Sequence, residues 1–261
     1  MKKQIDKDLI TVEPFVEAVP QLFVMSTIWG VTGRCLGPLM SPDISNLNEM
    51  TSWLTFSSSI LSATVGITNF LRFGPAKMNK STWVILFVLF LNLMCLVLKG
   101  FAVAWAIMHN GAMTWMGKIT WGSFASTLIY LPNLTYAGGV LFIEFGPKKG
   151  FDLILRYPGL VLTPVFSPIT FGSQQCQCNT RCYPKLCCPL PTIRNGLIQM
   201  SMKHTTVNTA MTFIFISVVM IITTSWMERI VLYGVISCAL LQLCLTIFFL
   251  LFYKLIKQSY K

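Results

Sequence analysis

Six stretches of roughly twenty residues carry almost no charge, and that feature decides most of what the chain can fold into. They lie at about 15–33, 53–71, 82–108, 119–145, 207–225 and 230–252. A helix rises about 1.5 Å per residue, so each run is matched to the roughly 30 Å hydrocarbon layer of a bilayer. A soluble domain could not hide them all. Charged residues make up 11% of the 261 positions, where a hydrated surface calls for roughly a quarter. The expectation is an all-α fold: one polytopic transmembrane helical bundle over 1–261, with about six spans. The first fourteen residues are polar, and the run behind them is too long and too polar for a signal-peptide core, so no cleavable leader is expected.

Two regions depart from the simple pattern. The run at 119–145 contains Pro132 and ends near Glu144, which predicts a bent helix or one that fails to cross. The segment 151–172 is apolar, but Pro158, Pro164 and Pro168 interrupt it too often for a straight helix, so a re-entrant or interfacial piece is expected.

Basic residues orient the map independently of hydropathy. With six spans, sixteen fall on one side: Lys2, Lys3, Lys7, Arg72, Lys77, Lys80, Lys148, Lys149, Arg156, Arg181, Lys185, Arg194, Lys203, Lys254, Lys257 and Lys261. Three fall on the other, Arg34, Lys118 and Arg229, and Lys99 sits inside a span. Basic loops favour the cytosol, which places both termini and the long connection 146–206 there. The net charge of +11 therefore reads as the flanks of membrane helices meeting anionic headgroups, and nucleic acid is not an expected partner. All seven tryptophans, Trp29, Trp53, Trp83, Trp105, Trp115, Trp121 and Trp226, fall at or near predicted span ends, where indole prefers to sit.

The long connection holds five of the nine cysteines: Cys176, Cys178, Cys182, Cys187 and Cys188. In the cytosol thiols stay reduced, so a disulfide framework is disfavoured there; an inverted topology would bring it back. The spacing C-x-C-x3-C-x4-C-C lacks paired C-x2-C knuckles, which leaves these residues as weak zinc ligands. Palmitoylation or a plain structural role suits cysteines in a basic loop between membrane segments, and redox chemistry is a further alternative.

Polar side chains at membrane depth are costly unless they face protein, water or a partner. Glu13, Glu17 and Gln21 recur every four residues and share one face of the first helix. Thr55, Ser59, Ser62, Gly66 and Asn69 form a helical stripe in the second run, and Asn92, Cys95, Lys99, Ala102 and Ala106 form another in the third. Small and hydroxyl residues are also how membrane helices pack, and that is the plainer explanation of the second-run stripe. Glu17 and Lys99 are harder to account for by packing, and they are expected to face a shared polar track.

The first 110 residues resemble the XK-related membrane protein family. Glu17, Pro20 and Gln21 match its E-x-x-PQL element, Trp53 to Ser62 is similar to its serine-rich helix, and Asn92 with Lys99 seven residues on resembles an Asn and Arg placed likewise. The chain corresponds to about the last two-thirds of a member, and the cysteine cluster is not part of the family pattern. The resemblance implies phospholipid scrambling: passive movement of lipid such as phosphatidylserine between leaflets, at the plasma membrane, as in apoptosis. It implies no ATP, no cofactor and no covalent chemistry, and no Asp-x-x-Asp caspase site occurs in the tail. Glu17, Gln21, Ser59, Ser62, Asn92 and Lys99 are then the expected lining of the lipid path. Phospholipid is the expected partner, with a single-span membrane subunit or a lipid-transfer protein as a further one.

A channel or solute transporter would use the same buried polar residues, and the breaks at Pro132 and 158–168 would suit it. A non-catalytic anchor that docks a lipid-transfer or scaffold protein through 146–206 is a third reading. Enzyme chemistry is not expected: no P-loop, dinucleotide fingerprint or H-E-x-x-H occurs, and His109 and His204 fall in different predicted loops.

Overall fold

The computed structural model describes residues 47–73, 81–108, 114–173 and 198–259. The expected first span, with Glu13, Glu17, Pro20 and Gln21, lies outside the described residues, as does the cysteine cluster at 176–188. Seven α-helices are described: α1 (Leu47–Phe73), α2 (Thr82–Met108), α3 (Trp115–Phe145), α4 (Pro147–Arg156), α5 (Gly159–Phe166), α6 (Met202–Thr223) and α7 (Arg229–Ser259), with a 3-10 turn at Trp226–Glu228 before the last. A short antiparallel pair, β1 (Phe171–Ser173) and β2 (Ile198–Met200), sets Phe171 opposite Met200.

Among the described residues, four segments are long and apolar enough to cross a membrane: Thr82–Met108, Met116–Phe145, Met202–Thr223 and Arg229–Leu255. This is the make-up of an integral, helical membrane protein. Helix α1 is as long as α2, but its serines and threonines leave it less apolar than those four. The run around Pro132 forms one continuous helix, and the α3 segment is among the four. Pro132 removes one backbone donor, while the hydroxyl of Thr135 donates to the carbonyls of Leu131 and Pro132 at 3.0 Å each.

The chain direction of the helices gathers Arg72, Lys148, Lys149, Arg156, Lys203 and Lys254 at one end of the bundle, and Lys118 and Arg229 at the other. We call these the basic end and the far end. Toward the basic end, Ile67, Phe70, Val88, Leu141, Leu160, Phe171 and Phe249 belong to one buried apolar cluster. Toward the far end a second cluster contains Leu98, Trp105, Ile107, Ile129, Ile216, Met220 and Val235. Trp83 and Trp226 stand exposed at helix ends, as an interfacial belt requires. Trp105 does not: it is buried, and its indole N–H donates to the Thr224 hydroxyl at 3.0 Å.

The proline-rich segment breaks at both ends of α5. Gly159 starts the helix against the Phe70 ring near the basic end, and residues 159–161 and 163–172 are buried. The chain reaches the level of Lys99 at Val165 and comes back to Glu144 at Ser173. Entry as a helix and return as an extended strand make this a hairpin whose irregular backbone is enclosed by protein.

Candidate functional site

Helix α5 ends after two turns, which leaves its last carbonyls without intrahelical donors. Pro164 and Pro168 remove two further N–H groups from the tip. In water such carbonyls would be hydrated; here side chains serve them. Asn208 of α6 directs its amide nitrogen at the carbonyls of Pro164, Ser167 and Pro168, at 2.9, 3.1 and 3.1 Å. Lys99 of α2 donates to the Val165 carbonyl at 2.6 Å. A cation at a helix C-terminus also meets the negative end of the helix dipole.

The same two residues open onto a wider network. The Lys99 ammonium lies 3.3 Å from Asn133 Oδ1 and 5.5 Å from the centre of the Tyr130 ring. The Asn133 amide nitrogen points at Asn208 Oδ1 at 2.7 Å, the Asn208 carbonyl at 3.2 Å and Thr212 Oγ1 at 3.1 Å. On the other side of the tip, Ser167 Oγ donates to Asn92 Oδ1 at 2.6 Å, and Asn92 Nδ2 donates to Thr68 Oγ1 at 3.1 Å. The Thr68 hydroxyl donates in turn to the Thr64 carbonyl at 2.7 Å. Lys99, Asn92, Asn133, Ser167, Asn208 and Thr68 are all buried. Five helices thus meet in one polar seam, nine residues or about 13 Å along α2 from its far end.

The sequence-predicted residues divide accordingly. Asn92 and Lys99 lie in the seam, and the whole α2 stripe of Asn92, Cys95, Lys99, Ala102 and Ala106 faces the bundle. Ser59 is buried on α1, nearer the far end, whereas Ser62 is exposed beside Ser58 on the outer face of that helix. The inward polar groups of α1 that join the seam side are Thr64 and Thr68. Asn133, Ser167, Asn208 and Thr212 were not singled out from sequence. Asn133 and Asn208 each place an amide inside or at the edge of an apolar run, the same signal that drew attention to Asn92.

A second cluster closes the basic end of the hairpin. His204 Nε2 lies 2.7 Å from Glu144 Oε1, and His204 Nδ1 lies 2.8 Å from the Tyr136 hydroxyl. A neutral ring satisfies both contacts when Nε2–H donates to the carboxylate and Nδ1 accepts the phenol proton. The other carboxylate oxygen of Glu144 accepts from the backbone N–H of Ser173 in β1. His204 therefore belongs to the first turn of α6, not to a loop: the helix begins at Met202, and the Ser201 side chain caps it by accepting from the His204 N–H.

Comparison of the chain with protein-family models, with curated proteins and with solved structures yields no match. Among the described residues, no three His, Cys, Asp or Glu side chains converge as metal ligands would. What the arrangement offers chemically is a set of fixed donors and acceptors at membrane depth, with one ammonium among them.

Proposed function

We propose that this protein moves phospholipid passively between leaflets, as the resemblance to XK-related proteins implies, with the seam as the polar element its headgroups meet. The supporting observation is the connected network itself: Lys99, Asn92, Asn133 and Asn208 from three separate helices converge around the α5 tip. A bare zwitterion or anion cannot cross hydrocarbon at a useful rate, so polar groups at intermediate depth are what such a protein must supply. Lys99 is the group that attracts an anionic phosphate, while Asn92 exchanges its bonds to Thr68 and Ser167, and Asn133 its bonds to Lys99, Asn208 and Thr212, for bonds to the headgroup. The exposed hydroxyl face of α1, with Thr55, Ser58 and Ser62, provides an approach from the lipid side, while acyl chains stay in the bilayer. In this reading the chain has six spans, the first at 15–33 bringing Glu17 and Gln21 to the same track. Both termini and the cysteine-rich connection then face the cytosol of the plasma membrane.

A channel or transporter is the second reading, and α5 is the observation that favours it. A broken helix whose terminal carbonyls turn into a polar interior is how many transporters build a midplane site. Reconstitution separates the two. Purified protein in vesicles carrying a fluorescent phospholipid should raise the dithionite-accessible fraction from about half toward completion, without release of a trapped solute, if lipid moves. Solute flux with no lipid exchange would assign the seam to transport, and neither activity would remove both readings.

A further inference from the structure

Helix α4 distributes its residues unlike any other described helix. Gly146, at φ +80°, turns the chain from α3 into α4 in a conformation that glycine adopts freely. Gly150 then lets α4 press onto α3: a Cβ there would meet the Leu141 carbonyl oxygen at 3.0 Å and the Phe142 ring at 3.1 Å. Leu153 and Ile154 pack on the apolar cluster of the basic end, which fixes the inner face. Four-residue spacing sets Phe151 and Leu155 together on the flank, 56% and 67% exposed. The next ridge round carries Lys148, Asp152 and Arg156, with Lys149 beside it and its ammonium 6.0 Å from the centre of the Phe145 ring. Asp152 is matched by Arg156 at 2.9 Å, so three cations against one carboxylate leave the helix with a formal charge of +2.

We propose that α4 is an interfacial helix that seats on anionic phospholipid headgroups. Phe151 and Leu155 enter the acyl boundary, and Lys148 and Lys149 hold the phosphates above it. Three observations select this occupant. The exposed apolar flank and the basic ridge adjoin on one short helix, the pattern of helices that lie in the membrane plane. The flank continues into the exposed side of α3 at Phe142 and Ile143, inside a segment able to span the bilayer, so the same lipid layer reaches both. Arg72, Lys203 and Lys254 lie at the same end of the bundle and extend the positive field. The proposal stands apart from lipid movement, since it concerns binding at the boundary and not passage.

The test uses the full chain in phosphatidylcholine vesicles doped with spin-labelled phosphatidylserine or phosphatidylcholine. The wild type should hold phosphatidylserine in the motionally restricted shell about twofold or more over phosphatidylcholine at low salt, and the preference should shrink in about 0.5 M salt. K148Q/K149Q should bring the preference close to parity. F151S/L155S should do the same by lifting the helix off the boundary. Lys148, Phe151 and Leu155 are exposed and Lys149 is half-buried, so unchanged thermal unfolding of the variants verifies an intact fold. Equal restriction of both lipids by the wild type, or a preference undiminished in either double variant, overturns the proposal.

Discussion

In the far half of the bundle, Leu98, Trp105, Ile107, Ile216, Met220 and Val235 close on one another between uninterrupted helices. From the basic end the same long helices make room for α5 and its return strand, and around the α5 tip Asn92, Lys99, Asn133 and Asn208 crowd together. The contrast shows where polar side chains are required at membrane depth. A continuous helix satisfies its own backbone, so its neighbours need only fill space. A helix that stops in the interior exposes carbonyls, and each one left without a donor costs about 1–3 kcal/mol. Amides and an ammonium gather where the backbone is broken, and the proposed lipid path makes use of the same gathering.

The largest break in this comparison comes from Asn208. Asn208→Leu strips the donors from the Pro164, Ser167 and Pro168 carbonyls and the acceptor from the Asn133 amide. We expect a loss of about 2–4 kcal/mol, measured as unfolding in mixed micelles, because the loosened tip can regain some bonds. Lys99→Met should cost less, about 1–2 kcal/mol: two acceptors lose a donor, but a desolvated ammonium is also removed. Its larger effect is on function. Lipid movement in vesicles should fall at least severalfold while the fold persists, and full activity in Lys99→Met would reduce the seam to a structural clasp.

How far these residues could be read in advance depended on how sharply each stood out against its own stretch of sequence. Runs of apolar residues announced α2, α3, α6 and α7, because hydrocarbon thickness acts on length and composition alone. Lys99 stood out for the same reason, as a charge inside such a run. Asn208 did not, since its meaning lies in carbonyls forty or more residues earlier in the chain, and only the fold brings those within reach. The three prolines did announce the break that creates them. His204 was missed by a boundary: the apolar run begins at 207, while the Ser201 cap starts the helix five residues sooner, at Met202. Trp105 matched the belt pattern by position near a helix end, yet it points inward, a choice that sequence position does not encode.

Glu144→Gln sharpens the picture at the mouth of the hairpin. The amide oxygen still accepts from the Ser173 N–H, but an N–H of the new side chain faces the His204 ring in one of its two orientations. The expected loss is about 1 kcal/mol. Hydrogen exchange localises it: the Ser173 amide and the first turn of α6 should exchange faster, while the seam around Lys99 stays protected. Uniform loss of protection would mean that the mouth and the seam open together.

The smallest effect on lipid movement belongs to the far half, and it is the control on the whole contrast. Trp105 stacks on Phe101 with ring centres 5.8 Å apart and donates to Thr224 at 3.0 Å. Trp105→Phe keeps an aromatic ring in the apolar cluster and removes the indole N–H. Hydrogen bonds between membrane helices are worth about 0.6 kcal/mol on average, and the lost ring adds a packing term of about 1 kcal/mol. Because the surrounding helices are continuous, no backbone carbonyl loses its helical donor when the indole goes. Unfolding in mixed micelles should therefore shift by less than for Asn208→Leu, and lipid movement should be unchanged. A loss as large as that of Asn208→Leu would mean that the far half also depends on its polar contacts, and the link between broken backbone and buried polarity would no longer distinguish the two ends.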